Sequence, residues 1–532
     1  MRLLSLLLLV LVPLAAAAEP KPIVQHRSTG FYTGAWPIEK YWDDQAEKEW
    51  SDWVAAIGEA RVWRSFKLGQ GLKDPNVNPL FTPDDLELEI KSDCANLPFI
   101  MRAYFAYKTR RPLSFVSNKG RRYKEGNKPE TWTDWSQYRD FQRTLYALTN
   151  AVSSASFRMH SKLEGTDLYP IDITEQSLVP GTTYYDPNGH VLIVHKVDNV
   201  NGEIQLLDSH PDGTLTRKTF GPKYAVGSQR FGGGFKRWRL YDVEVTDQKT
   251  GAFTIRRKLN SESAFYSENA QYLWNYVIDG NEMTYHEWVR ARISKNGIYV
   301  HPIQDFSSML DAFCHDVTER IGAVDEAVAA GVAAKDHPSQ LPPNIYGAEG
   351  EWEDYSSPGR DARLRFSAKE LKDLVIRNMK LTIEKSSRVK YDGTPQQLVD
   401  DYLKIWNEHL ASKECQFTYR NSKGWQISLS LNDIFDRLFD LSFDCYHCPE
   451  LRWGAPQKGP DGQPTAEFVT CPDSKGKLWW YKEERQLRNR ITRLLDRYTA
   501  THRGPLTPVD VHIPKLMQCY KDNVSDPAAC HK

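Results

Sequence analysis

The sequence predicts an α+β fold, and three observations carry that prediction. Helical periodicity dominates residues 41–163. The pattern changes to strands and tight turns between Val179 and Val245. From about residue 260 to the C-terminus it is mostly helical again. The chain has 532 residues, which at about 150 residues per domain allows roughly two to four domains. The change of period divides it into an N-terminal mixed domain over 19–258 and a mainly helical, disulfide-containing domain over 259–532.

The first residues set the expected compartment. Met1-Arg2 precedes an apolar run from Leu3 to Leu14, then Ala15 to Ala18 and Glu19-Pro20. A basic start, an apolar middle and a small-residue cleavage site together predict a signal peptide over 1–18. The run is short of the ~20 residues that span a bilayer, so no stable membrane anchor is expected. The predicted location is the periplasm or the cell exterior, where disulfides persist. Basic and acidic residues balance at 69 each, which argues against broad electrostatic capture of nucleic acid or acidic lipid, a local patch aside. With 40% hydrophobic and 26% charged residues, the composition is that of a globular chain and not a disordered one.

Each element has its own signal. Over 41–66, Trp42, Trp50, Trp53 and Val54 line one helical face. A Pro- and Asp-rich loop runs from Gly69 to Asp85. Ser92-Asp93-Cys94 then opens an apolar helix to about Tyr107, with Ala95, Leu97, Ile100, Met101 and Tyr104 as its buried face and Pro98 tolerated in the first turn. Residues 132–163 read as helix. Val191 to Val194 and Ile204 to Leu207 read as strands joined through Asn199-Val200-Asn201-Gly202, and Glu244 to Lys258 adds another. Further helices are expected over 261–278, 307–334, 367–388, 395–411, 431–442 and 480–500. Thr394-Pro395 supplies a capping hydroxyl and a first-turn proline. Lys335 to Ala362 reads as a long surface connection.

Three residues carry the chemistry. Cys94 sits where a polar loop becomes an apolar helix, a position where the helix dipole and free N–H groups favour thiolate and can hold an oxyanion. A nucleophilic cysteine needs a base, and His190 is the best one: it ends the turn Tyr185 to Gly189 and opens a strand. Asp208, at the end of the return strand, is the best residue to orient that base. Register decides whether it does. A three-residue hairpin loop sets Asp208 opposite Leu192, on the face of His190, whereas a two-residue loop turns it away. His210 is the fallback third member. The chemistry calls for no cofactor and no metal.

Other readings remain open. Cys94 paired with Cys314 would make His190 a turn residue and Asp208 a hairpin end. Cys415, Cys445, Cys448, Cys471, Cys519 and Cys530 form a C-terminal disulfide set, with Cys519 and Cys530 plausible partners by proximity. Cys445, His447, Cys448 and Cys471 offer zinc ligands as the alternative. Cys314 is expected as a buried thiol if Cys94 is free. Phe231 to Phe235 is Gly-rich but lacks a phosphate-loop context, and Lys236-Arg237-Trp238-Arg239 reads as a solvated strand edge.

The order of these residues resembles a family. Asp93-Cys94 opening a buried helix, Pro180-Gly181 before the strands, Gly189-His190-Val191 and Leu207-Asp208 look like the papain-like fold, in its NlpC/P60-type thiol hydrolase flavour. The resemblance covers about residues 85 to 245. It implies a helix packed on an antiparallel sheet, with Cys94 as nucleophile, His190 as general base and then acid, and Asp208 as the orienting residue. It further implies a secreted amide or peptide hydrolase acting on a peptide or cell-wall peptide substrate. The interval from Cys94 to His190 is wide for compact members, which implies an insertion. No Gln just precedes Cys94 as an oxyanion donor, and Gln70 is a distant substitute. The transglutaminase-like branch, an acyl transferase, shares the residue order. A non-catalytic binding or structural protein is the remaining alternative.

Overall fold

The computed structural model describes residues 38–530, except 61–64, 118–130, 135–139, 187–189, 211–212, 225–228, 230–231, 248–251, 279, 344, 346–349, 472–475, 492–503 and 524–528. The expected leader, 1–18, and Phe231 lie outside the described residues.

A seven-stranded antiparallel sheet organises the N-terminal half. Its strands in chain order are β1 (Ser65–Lys67), β2 (Leu168–Pro170), β3 (Thr183–Asp186), β4 (His190–Asp198), β5 (Glu203–Ser209), β6 (Thr214–Thr219) and β7 (Gly234–Trp238). Across the sheet they lie β1-β6-β5-β4-β3-β7-β2. Helices α1 (Asp44–Glu59) and α2 (Asn96–Lys108) cover one face, packing Trp50, Val54, Leu97 and Ile100 against Val191, Ile193 and Leu207. Leu192, Val194 and Leu206 point the other way, into a second core with Trp288, Val289 and Ile293 of α3 (Tyr285–Ile293). Strands buried on both faces read as continuous apolar runs, which is why Val191 to Val194 lacks a polar alternation. Residues 276–293 belong to this second core, so the body of the sheet extends past the boundary expected at 258.

The rest is helical. Long helices α4 (Pro302–Ala329), α5 (Pro358–Ile383) and α6 (Pro395–Ala411) share a third core with Leu310, Leu371, Tyr402 and Trp406. The start of α6 is as expected: Thr394 accepts from Gln397 N and Pro395 occupies the first turn. Three disulfides staple this half, Cys314–Cys415, Cys448–Cys471 and Cys519–Cys530. The last is the pairing expected by proximity. Cys314 is therefore not a buried thiol, and Cys448 and Cys471 are bonded to each other rather than to zinc.

Several local expectations are corrected. Residues 261–278 are not a helix; they form a short 3-10 turn, Asn260–Glu262, and a strand, Tyr276–Ile278. The buried Gln271 side chain bonds Phe235 N and the carbonyls of Ile171 and Phe235, so tertiary contacts hold this segment out of a helix. The helix expected over 132–163 is shorter, Phe141–Ala151, because Asp140 caps it at Arg143 N. A strand, Thr131–Asp134, precedes it. The helix expected from 41 begins at Asp44, capped by Asp43. The connection over 335–362 contains a short helix, Glu351–Tyr355, and the start of α5 at Pro358. The helix over 480–500 is broken into Lys477–Glu483 and Arg485–Arg488, and 492–503 lie outside the described residues. The basic run Lys236 to Arg239 is no solvated edge: β7 lies between β3 and β2, with Lys236 and Arg239 buried.

The Cys314–Cys415 bridge ties α4 to the end of α6 across 101 positions. For a loop of about that length, removing the cross-link through Cys314→Ser is expected to cost roughly 2–5 kcal/mol, read as a lower urea midpoint than wild type.

Candidate active site

The turn that carries Cys94 is fixed before the helix begins. Asp93 Oδ1 accepts from Asn96 N at 2.7 Å and Asp93 O accepts from Leu97 N at 3.0 Å. Beyond it, the apolar residues of α2 pack against α1 and the sheet. On its N-terminal side the Ser92 and Ser209 hydroxyls are 2.7 Å apart, pinning the turn to the end of β5 beside Asp208. Cys94 is half-buried and carries a free thiol; the alternative bond to Cys314 does not form, since Cys314 is bonded to Cys415. The other free cysteine, Cys445, is buried, and burial together with Asp444 pushes its thiol up to about 12. That is the setting of an inert thiol.

His190 is the first residue of β4, opposite Asp186 of β3. Its Nε2 lies 3.0 Å from Asp208 Oδ1, and Cys94 is close enough to raise the imidazole pKa. With Nε2 committed to Asp208, Nδ1 is the nitrogen left for the sulfur. The three residues singled out in the sequence therefore meet in one place.

Their meeting depends on a β-bulge that neither expected loop length included. The hairpin closes with Asp198 opposite Glu203, around four loop residues. Continued unbroken, that register would set Asp208 opposite Ile193 and turn it to the wrong face. The ladder instead shifts between Val194 and Lys196, leaving His195 as the extra residue, after which Ile193 pairs with Leu207. The next step places Asp208 opposite Leu192, on the face of His190. The bulged His195 is buried, and its ring nitrogens have no hydrogen-bond partner among the described residues. Burial, aided by Arg217, holds it neutral with a pKa of about 4. Gly58 of α1 makes room for it: a Cβ there would stand 2.3 Å from His195 Cβ.

Asp208 is fully buried between two cations. Lys218 Nζ lies 2.8 Å from Oδ2, so the carboxylate faces His190 on one side and Lys218 on the other. Both are ion-pair contacts whose donors sit off the line of an ideal hydrogen bond. Burial alone would raise the Asp208 pKa, but His190 and Lys218 hold it well below the usual carboxylate range. Burial likewise opposes charge on His190, and Asp208 outweighs it with help from Cys94, lifting the imidazole to about 9. Lys218 in turn reaches Glu319 of α4 at 2.9 Å, and Glu319 pairs with His315 at 2.9 Å. His210, the fallback member, stands 4.0 Å from Asp208 Oδ2 and 3.8 Å from Glu319, at the margin of this network.

Sequence reasoning missed Lys218, Glu319 and Arg360. Arg360, in the first turn of α5, is lowered by burial and by Arg363, against the opposing fields of Glu319 and Cys94. The i,i+4 pair His315 and Glu319 was a visible signal on one helical face, but nothing in the sequence joined it to β6. Gln70, the distant oxyanion substitute, turns its side chain back to Lys67 N at 3.3 Å. A cavity of ≈ 630 Å³ beside the sheet and α4 is lined by Gln205, Lys218, His286, His301, Asp305 and His315, among others. Cys94 and His190 are not part of its wall. Comparison with protein-family models, with curated proteins and with solved structures finds no match to this chain.

Two measurements test this geometry. Gly58→Ala is expected to lower stability by about 1–3 kcal/mol, because the added methyl meets the bulged His195, read as a urea midpoint shift. The same variant should weaken the His190–Asp208 pair, read as a fall in the His190 pKa by NMR titration. The second test is pH dependence. His190 titrates near ~6.5 when unfolded and at about 9 when folded, so the folded state binds this proton more tightly. The stabilisation is complete below ~6.5 and is lost as pH rises through about 9. Wild type should lose that increment over this window, and His190→Ala should not.

Proposed function

We propose that this chain is an exported thiol hydrolase of papain-like type that cleaves an amide bond through a thioester. The observation that carries the reading is the convergence of a free Cys94 thiol, the His190 ring and the Asp208 carboxylate at 3.0 Å from His190 Nε2. A nucleophile, a base and a group that orients the base are the minimum set for covalent acyl transfer.

The steps follow from that arrangement. With the imidazole lifted to about 9, the proton of the Cys94 thiol already rests on His190 Nδ1 in a thiolate–imidazolium pair, and Asp208 stabilises the imidazolium. The sulfur adds to the amide carbonyl carbon, and the oxygen becomes an oxyanion facing the N–H groups of the turn at the start of α2. As the C–N bond breaks, His190 gives its proton to the leaving amine. Water then attacks the thioester carbonyl with His190 as base. The C–S bond breaks, the acid product leaves and the thiol is restored. Asp208 stays ionised throughout, because Lys218 balances its charge when His190 is neutral.

Location and substrate class rest on other grounds. Three disulfides favour an oxidising compartment, in keeping with the leader-like 1–18. Among the described residues no helix is long and apolar enough to cross a membrane. A peptide or cell-wall peptide as substrate comes from the family resemblance alone.

A thiol-directed electrophilic probe tests the reading on the native, oxidised protein. Cys94 should be labelled in wild type, labelled at least about 10²-fold more slowly in His190→Ala, and not at all in Cys94→Ala. Equal labelling of wild type and His190→Ala would overturn the assigned base. Incorporation of an added amine in place of hydrolysis would move the chain to the transglutaminase-like branch.

A further inference from the structure

A second cluster of chemically capable side chains lies in the helical half, remote in sequence from the Cys94 site. His337, Asp444, His447 and Glu484 offer ligand atoms that all lie within 4.8 Å of one another. The side chains of His337, Asp444, His447 and Glu484 have no solvent exposure. His337 comes from the connection after α4, Asp444 and His447 from the turn that leads into the Cys448–Cys471 bridge, and Glu484 from the junction of the two short helices near 484.

The hydrogen bonds around the cluster turn its acceptors inward. His337 Nδ1 lies 2.7 Å from the Pro338 carbonyl, which can only accept, so Nδ1 carries the hydrogen. That leaves Nε2 facing Asp444 Oδ2 at 2.5 Å, a second group that only accepts. His447 Nδ1 meets Ser442 Oγ at 2.7 Å, which turns its Nε2 to within 3.6 Å of the same Asp444 oxygen. Among the described residues neither His447 Nε2 nor either Glu484 oxygen takes a hydrogen bond from an N–H or hydroxyl donor, although both side chains are buried; Glu484 Oε2 lies 3.9 Å from His447 Nδ1 and 4.0 Å from Arg488 Nη1. Asp444 is held by Tyr446 N, which donates to Oδ1 at 2.8 Å, so Oδ2 is the atom that points into the cluster. Two imidazole nitrogens and two carboxylates thus converge in a dry space with Arg488 at its edge, and a cation between them would balance the carboxylates.

We propose that His337 Nε2, His447 Nε2, Asp444 and Glu484 bind one divalent transition-metal ion, zinc being the best fit, as a closed structural site. Two imidazoles with two carboxylates suit zinc, whereas calcium and magnesium prefer all-oxygen shells. Ligand arms of about 2.0–2.1 Å in a tetrahedron put ligand atoms roughly 3.3 Å apart, which the 2.5 and 3.6 Å separations bracket; Glu484 stands farther out, 3.9 Å from His447 Nδ1, and closes in when the ion binds. A dication neutralises the two carboxylates. Pro338 O and Ser442 Oγ are the outer partners that fix both imidazoles, an arrangement common at metal-bound histidines. With four protein ligands and no solvent access, the ion would pin three chain segments together and leave no position open for substrate. The zinc reading of Cys445, His447, Cys448 and Cys471 in the sequence thus survives only in His447. Elsewhere, Asp208, His210 and Glu319 also converge, but Lys218 already sits between the two carboxylates.

The test uses the full oxidised chain, stripped with a chelator, checked by circular dichroism and titrated with zinc and with cobalt. The expected result is one equivalent bound, tetrahedral d–d bands with cobalt, and a higher Tm with zinc. Ser442→Ala, which leaves all four ligands in place, should weaken zinc by about 10–100-fold, and Glu484→Gln by more. Cys94 labelling should persist in both variants. A folded wild-type chain that binds no stoichiometric zinc would overturn the proposal and make the cluster a proton-sharing group. So would wild-type affinity in both variants, which would place the metal elsewhere.

Discussion

Asp208 has no contact with solvent and remains charged, and the geometry of the Cys94 site depends on that. A buried carboxylate is costly unless cations reach it, and here His190 and Lys218 approach from opposite sides at 3.0 and 2.8 Å. Such a pair adds little net stability compared with an apolar substitute, but it tolerates very little displacement. His190 is thereby held in one orientation, which leaves its other nitrogen available to Cys94. Lys218 is in turn secured by Glu319 of α4, so the helical half completes the electrostatic support of a site built on the sheet. Lys223 and Asp316, 3.1 Å apart, join the same two halves nearby.

The carboxylate can occupy that place only because the sheet is irregular at one residue. Without the extra residue at His195, the parity of β5 would turn Asp208 to the α1 face. A bulge needs space, and the space comes from Gly58 on the helix packed above it. A glycine on α1 is thus coupled to a carboxylate on β5 through a buried, neutral histidine. The same packing explains why both faces of β4 are apolar: helices α1 and α2 cover one, and α3 covers the other.

The helical half is organised differently. Its main core is large and takes in Leu441 and Trp453, but around them Phe443, Cys445, Leu451 and Tyr481 belong to small separate clusters. Small cores hold poorly by apolar burial alone. Here the Cys448–Cys471 bridge, the buried Arg320–Asp361 pair and the His337–Asp444–His447–Glu484 cluster act where apolar material runs short.

Much was legible in the residues themselves. The mixed fold, the long helices and the candidates Cys94, His190 and Asp208 follow from apolar periodicity, turn chemistry and residue type, all of them local properties of the chain. The helix starting at Thr394-Pro395 is of the same kind, since its cap lies within four residues. The segment 261–278 was not legible, because Gln271 is held by bonds to Ile171 and Phe235 that have no local signature. Nor was the part played by Lys218, which reaches Asp208 from β6, by Glu319, which holds Lys218 from α4, or by Arg360, whose charge feels Cys94 from α5. The sequence by itself determined which side chains were available for acyl chemistry and which elements would carry them. Only the tertiary structure decided that Asp208 faces His190, because a one-residue shift in register reverses every side chain beyond it, and the space for that shift lies on another element.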